Sequence, residues 1–286
     1  MNVLIIGKNS YIGCHIDNWL TAKGWNVEQL DVLTEDWRSC DYSLYDAVVH
    51  VAALVHRPKC KDWELYKQVN TDMPIEIASM AKSQGVKTYI FFSTMGVYGI
   101  GKKLVVNMID DHTPLSFNNT MYGKSKLLAE VGLQKMQDNK FNIVIVRPPS
   151  VYGKGCKGGY ITGFLKIARI LPIIPRAYEN VKQSFIYIDN LCEFTRLAII
   201  HRLQGCFCPQ DDKAVCANEL LEIIICSIGK RYYSSSILGF CLRLISFVPL
   251  VKKAYGGIEY SHSLSEMDGL NYVIVPFEEG IKRTVL

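Results

Sequence analysis

The chain has 286 residues, 49% hydrophobic and 21% charged, with a formal net charge of +5. This balance fits one large globular domain or a domain and a half, and excludes a disordered or collagen-like chain. The small positive charge has no Lys/Arg block, which argues against a nucleic-acid partner and suits a small anionic substrate.

The first half alternates short apolar runs with helical patterns, which predicts an α/β fold: a Rossmann-type, doubly wound parallel sheet covered by helices. The opening run has no basic segment before it and no cleavage site after it, so no secretory signal is expected. Strands are predicted at 3–6, 27–30, 47–51, 88–92 and 143–146, and helices near 11–23, 63–84 and 120–138. The link 31–46 is too short for a full crossover helix, so that unit is trimmed. After Pro148 the pattern loosens. Glycine-rich 152–163, Pro172 and Pro175 mark loops, and 184–188 returns as a strand followed by a helix. The apolar run 237–251 is too short to span a membrane and carries Arg243 and Pro249. It fits an amphipathic helix packed on the protein, with a helix resting on a membrane surface as the alternative. Ten cysteines are scattered without a CxxC pair. Reduced thiols in a cytoplasmic protein are expected, and no metal site.

The segment 7–13, GKNSYIG, sits where the first strand turns into the first helix. Small residues there let the backbone approach a pyrophosphate, which rests on the helix N-terminal amides. Asp31 ends the second strand, where a carboxylate can hold ribose hydroxyls and repel a 2′-phosphate, favouring NAD over NADP. The third strand ends in Val51, Ala52 and Ala53, whose small side chains leave room for a dinucleotide.

Tyr122 and Lys126 are four residues apart at the start of a helix and share a face. A phenol with its usual pKa of about 10 is a poor base at neutral pH. An ammonium about 5 Å away, at an effective dielectric of about 20, stabilises phenolate by roughly 3 kcal/mol, about two pKa units. With an oxidised nicotinamide nearby, that makes Tyr122 a usable base. The fourth strand ends in Ser93 and Thr94, and either hydroxyl can align a reacting sugar oxygen with Tyr122.

With these residues in place, the chain resembles the extended short-chain dehydrogenases, the NAD-dependent nucleotide-sugar epimerase/dehydratase family. The matching residues are 7–13, Asp31, 50–53, Val69 and Asn70, 93–99, 122–126 and 147–153, with 184–191 and 276–284 further on. The likeness covers essentially the whole chain. It implies an NAD-binding Rossmann domain over 1–155 and 184–205, and a substrate-binding domain over 156–183 and 206–286. The resemblance implies a catalytic set of Thr94, Tyr122 and Lys126, with Thr94 matching better than Ser93. The implied NAD contacts are Gly7, Asn9, Ser10, Tyr11, Ile12, Gly13, Asp31, Val51, Ala52, Ala53, Tyr122, Lys126 and Pro149. His56, Thr94, Met95, Tyr122, Ser150, Tyr160 and Gln183 would meet the substrate. The chain departs from the family pattern at Ser10, which replaces a glycine, and at Ser150 and Gly159, where asparagines are common. Gln183 stands where an arginine commonly meets the diphosphate.

Within the family, the likeness is to polysaccharide-locus sugar 4-epimerases and 4-keto reductases. The first expectation is an epimerase inverting C4 of a UDP-hexose or UDP-N-acetylhexosamine. The alternatives are an NAD(P)H-dependent reductase of a 4-keto-6-deoxy sugar nucleotide, and an inactive dinucleotide-binding sensor or scaffold. The 4,6-dehydratases add an acid pair beside the threonine, and here Met95 and Gly96 follow Thr94. The substrate's carrier is a nucleotide or a polyprenyl diphosphate. No nucleic-acid partner and no transmembrane segment are expected. The pattern admits a homodimer through the helix following Tyr122 and the helix of 63–84.

Overall fold

The computed structural model describes residues 1–55, 62–156, 159–267 and 269–286. The chain begins β1 (Asn2–Ile6), α1 (Tyr11–Thr21), β2 (Asn26–Leu30), β3 (Ala47–His50), α2 (Trp63–Lys67), α3 (Met73–Ser83) and β4 (Thr88–Phe92). It continues with β5 (Met108–Ile109), α4 (Met121–Gln134), β6 (Asn142–Val146), β7 (Ser150–Tyr152), α5 (Tyr160–Ile170), β8 (Ile173–Pro175) and β9 (Lys182–Gln183). Next come β10 (Phe185–Tyr187), α6 (Ile188–Ile200), β11 (Gly205–Phe207), β12 (Val215–Cys216) and α7 (Ala217–Ser227). The last elements are β13 (Tyr233–Ser235), α8 (Ser236–Leu244), α9 (Pro249–Tyr255), β14 (Glu259–Tyr260) and α10 (Phe277–Val285).

Two compact units result. The first comprises Met1–Gly99, Pro114–Pro148 and Leu191–Pro209; the second comprises Ile100–Thr113, Pro149–Asn190 and Gln210–Leu286. The contact boundary therefore falls at Pro148 and Asn190 rather than at 155 and 184, and it assigns 100–113 to the second unit.

In the first unit, six strands form one sheet in the order β11-β6-β4-β3-β1-β2, every pair parallel. β3 and β4 are buried along their whole length, as strands covered by helices on both faces must be. After β2 the chain crosses to the far side of β1, so strand order reverses between β1 and β3. That opens a crevice at their carboxyl ends, where doubly wound folds bind ligands. The 31–46 link holds only a 3-10 turn at Tyr42–Leu44, the trimmed unit that its length implied.

Three features differ from the sequence expectation. The strand within 184–188 lies outside the main sheet and pairs with β7. The sixth strand of the main sheet is β11, where no strand was expected. The helix foreseen over 63–84 is broken by a π turn, Gln68–Asp72. Pro74 follows that turn; it lacks an amide hydrogen, and its ring crowds the carbonyl four residues back, so regular α hydrogen bonding cannot run through.

In the second unit, β7 and β10 pack Tyr152, Phe185 and Tyr187 with Phe277 of α10 as an aromatic cluster. Short pairs β12–β9, β13–β8 and β14–β5 complete it.

Candidate active site

The site is built at the carboxyl edge of the main sheet. Gly7 has φ +124°, and a Cβ there would lie 2.9 Å from both the Ala52 amide nitrogen and Val51 Cγ2. Glycine is therefore what lets the β1–α1 turn close against the end of β3. Asn9 also takes a positive φ of 61°. Ser10, the departure from the family pattern, caps α1: its Oγ accepts the Gly13 amide at 3.1 Å, the usual work of serine at that position. A Cβ on Gly13 would meet Ser10 Oγ at 2.5 Å, so the two residues are matched. Tyr11 and Ile12 supply the first-turn amides of an eleven-residue helix, which carry partial positive charge toward the turn. Asp31 directly follows β2, and its Oδ1 accepts the Leu33 amide at 2.9 Å. This cradle of small residues, helix amides and an acid at the strand end fits a dinucleotide.

Val51, Ala52 and Ala53 follow β3 and are half-buried. The loop continues to Leu54, which Asn70 grips from both sides: Asn70 Oδ1 accepts the Leu54 amide at 2.8 Å, and its Nδ2 donates to Leu54 O at 3.0 Å. Asn70 Nδ2 also donates to Ser125 Oγ at 3.1 Å. His56, expected at the substrate, lies outside the described residues.

Thr94 caps the short turn Met95–Tyr98, its Oγ1 accepting the Gly96 amide at 3.0 Å. The same hydroxyl lies near enough to the Tyr122 phenol to draw its pKa down. Ser93 is committed elsewhere, donating to Glu130 in a buried network. The structure thus separates two adjacent hydroxyls, of which the resemblance favoured Thr94: Thr94 acts on Tyr122, and Ser93 is turned to Glu130. Met95 is half-buried beside Thr94.

Lys126 is fully buried, its Nζ donating to Phe92 O at 2.7 Å and lying 4.2 Å from the Phe91 ring centroid. Burial lowers its pKa to about 7, against an opposing pull from Glu130. The Tyr122 phenol moves opposite to the direction expected from its lysine neighbour. Burial pushes it up to about 12, the Thr94 hydroxyl draws it down, and Tyr66 adds to the rise. Both residues sit on α4, and burial is the largest influence on each, raising the phenol and lowering the ammonium. His50 is also fully buried; burial and the Lys126 charge hold it neutral.

Sequence reasoning missed the support beneath this set. Glu130 is buried four residues after Lys126, and Arg147 clamps it through Nε at 3.1 Å and Nη2 at 2.6 Å. Arg147 Nη1 donates to Tyr98 OH at 3.0 Å. The available signal was the i, i+4 position of Glu130 on the Lys126 face.

The remaining expected residues belong to the second unit. Pro149 is buried at its start. Gln183 Nε2 donates to Ser150 Oγ at 2.8 Å, and Lys102 Nζ donates to Gln183 Oε1. Lys102 Nζ lies 3.8 Å from the Tyr160 ring centroid, and the Tyr160 hydroxyl is held by Ala254 O. Ser150 and Tyr160 line one cleft with Tyr152 and Gly159. Three expected substrate residues therefore gather around a lysine that no motif marked. Burial, with Lys253 nearby, lowers the Lys102 pKa to about 7.

Comparison with known proteins places this geometry. The model of the NAD dependent epimerase/dehydratase family matches residues 3–205. The chain is 29% identical over 268 residues to a UDP-glucose 4-epimerase of Vibrio cholerae, covering 85% of this chain and 80% of that one. It is 26% identical over 284 residues to the N-acetyl-alpha-D-glucosaminyl-diphospho-ditrans,octacis-undecaprenol 4-epimerase of Escherichia coli O157:H7, covering 90% and 83%. The fold is shared with Bordetella bronchiseptica WbmG, solved with NAD, at TM-score 0.75 and 20% identity over 100% of this chain and 93% of that one. The chain belongs to the NAD dependent epimerase/dehydratase family and is an enzyme with NAD as its cofactor.

Proposed function

We propose that this enzyme inverts C4 of a UDP-hexose or UDP-N-acetylhexosamine through a transient 4-keto sugar, with Tyr122 as acid and base. The observation that carries the reading is the hydroxyl pair of Thr94 and Tyr122 at the carboxyl edge of the sheet, with Lys126 on the same helix. Bound NAD supplies a hydride acceptor and a positive charge that, with Lys126, draws the phenol back toward a working range. Gly7, Asn9, Ser10, Tyr11, Ile12 and Gly13 would seat its pyrophosphate, Asp31 its adenosine ribose, and Val51, Ala52 and Ala53 its remaining surface. Tyr122 takes the proton of the C4 hydroxyl and later returns one to the same oxygen, while Thr94 holds that oxygen in line.

In the second unit, Lys102 supplies the cation that Gln183 lacks. It meets the substrate diphosphate, with Ser150, Gln183 and Tyr160 around it. The relatives named above divide between a nucleotide carrier and a polyprenyl carrier, and both offer Lys102 a diphosphate. A homodimer through α4 and the helical segment of 63–84, α2 and α3, is part of the same reading.

The test is an assay of purified protein with UDP-glucose, UDP-N-acetylglucosamine and polyprenyl-diphospho-N-acetylglucosamine, without added reductant. Interconversion of C4 epimers of one of these is expected. Inactivity on all three, with NAD(P)H-dependent consumption of a 4-keto sugar nucleotide, would replace the epimerase by the reductase.

A further inference from the structure

Helix α8 turns its apolar side outward. Of its nine residues only Gly239 is buried, and a Cβ there would lie 2.1 Å from the Arg176 carbonyl oxygen. The glycine is what allows α8 to rest on the backbone that follows β8. At 100° per residue, Ile237, Phe240 and Leu244 fall on the side away from Gly239. They are 78%, 61% and 62% exposed, and Phe247 and Leu250, next along the chain, are 75% and 71% exposed. The β13–β8 pairing sets the end of α5, with Ile170 and Leu171 also exposed, beside the strand that leads into α8.

A helix packed by its apolar side would turn this stripe inward; α8 rests on the protein through Gly239 and leaves the stripe outward. Exposed apolar side chains concentrated along one short stretch of chain mark a docking surface. Its margin identifies the partner. Residues 228–256 contain Lys230, Arg231, Arg243, Lys252 and Lys253, and no Asp or Glu. A second copy docked by the same face would set these cations against one another. A layer of anionic headgroups over acyl chains satisfies both the aromatic and aliphatic side chains and the lysines.

We infer that α8, the turn after it and α9 dock this enzyme on an anionic phospholipid surface. The apolar side chains enter the headgroup–acyl boundary, and Arg243, Lys252 and Lys253 lie at headgroup level. The helices lie in the interface plane: no described helix is long and apolar enough to cross a membrane. The inference does not depend on which sugar is the substrate.

The test is flotation of the full chain with vesicles of phosphatidylcholine alone, or with roughly a third phosphatidylglycerol. Binding to the anionic vesicles is expected, weakening as salt rises. The triple variant F240S/F247S/L250S should bind at least about tenfold more weakly. These side chains are exposed, so its thermal unfolding and NAD affinity should match the parent. Failure of the parent to float, equal flotation with neutral vesicles, or equal flotation of the variant would overturn the inference. Self-association abolished by the same three substitutions, without vesicle binding, would assign the face to a second copy and overturn it equally.

Discussion

Tyr122 would do its acid–base work from a position where burial, with Tyr66 beside it, holds its proton, with a pKa pushed up to about 12. Tyr122→Phe keeps the ring and deletes the proton carrier. Turnover should fall by roughly 10²–10⁴, with nearly unchanged NAD binding. Lys126→Ala should harm both turnover and NAD affinity, and Thr94→Val should fall between the two on turnover. Calorimetric NAD titration beside a pH–rate profile separates these outcomes; wild-type turnover in Tyr122→Phe would remove the catalytic assignment. Lys102 gives a second residue-scale prediction. Its pKa of about 7 in the free protein means that the cation is present below that pH and lost above it. KM should therefore rise as pH climbs through about 7, while kcat at saturation is set by other groups. Lys102→Arg keeps the charge throughout and should flatten that rise; Lys102→Gln should give a high KM at every pH. A rise unchanged in Lys102→Arg would detach Lys102 from the substrate. The sequence marked Tyr122 and Lys126 because helix periodicity fixes which neighbours share a face. It could not mark Lys102, whose partner Gln183 lies 81 residues away.

The interrupted helix α2–α3 shows how one element positions another. The π turn buries Asn70 and Thr71; Thr71 Oγ1 donates to Ser125 O at 2.7 Å, and Asn70 reaches both Ser125 Oγ and Leu54. Ser125 lies between Tyr122 and Lys126 on α4, so this turn ties the reacting helix to the loop after β3. Asn70→Ala leaves the Leu54 amide and carbonyl without these partners, at roughly 1–3 kcal/mol for a buried polar group so stranded. Thermal denaturation should register that loss, and NAD titration should show weakened binding through the displaced loop. Unchanged affinity alongside lowered stability would limit Asn70 to a purely structural role. β1 and β4 were legible because unbroken apolar runs end at Gly7 and Ser93, where the chain must turn. The π turn was not, because apolar spacing over 63–84 continues through it while the backbone defect depends on Pro74 and on Ser125 of another helix. Nor was β11, a three-residue strand with Cys206 exposed at its centre.

At the scale of the molecule, each unit has its own core, and the second is organised around a buried acid. Tyr152 OH donates to Asp211 Oδ2 at 2.8 Å; the Tyr187 amide and Asn190 Nδ2 donate to Oδ1 at 2.9 and 2.8 Å. Asn190 in turn accepts the Ile274 and Val275 amides at 3.0 and 2.9 Å. Asp211 thus joins β7, β10, the start of α6 and the segment entering α10. Three donors would ordinarily hold a carboxylate ionised, yet burial prevails and raises its pKa to about 7. An unfolded aspartate titrates near 3.9. Between these values the folded chain keeps a proton that the unfolded chain releases, so the unfolded state binds fewer protons. Stability from this group is fully present below the unfolded value and is lost as pH rises through about 7. The melting temperature should therefore decline between about pH 5 and pH 8, and Asp211→Asn should remove most of that slope while keeping an acceptor for the Tyr187 amide. Hydrogen exchange locates the effect: protection should fall with pH in peptides from 149–190 and 210–286, and stay level in those from 1–99. An identical slope in Asp211→Asn, or a loss spread evenly over both units, would show that the pH dependence arises elsewhere.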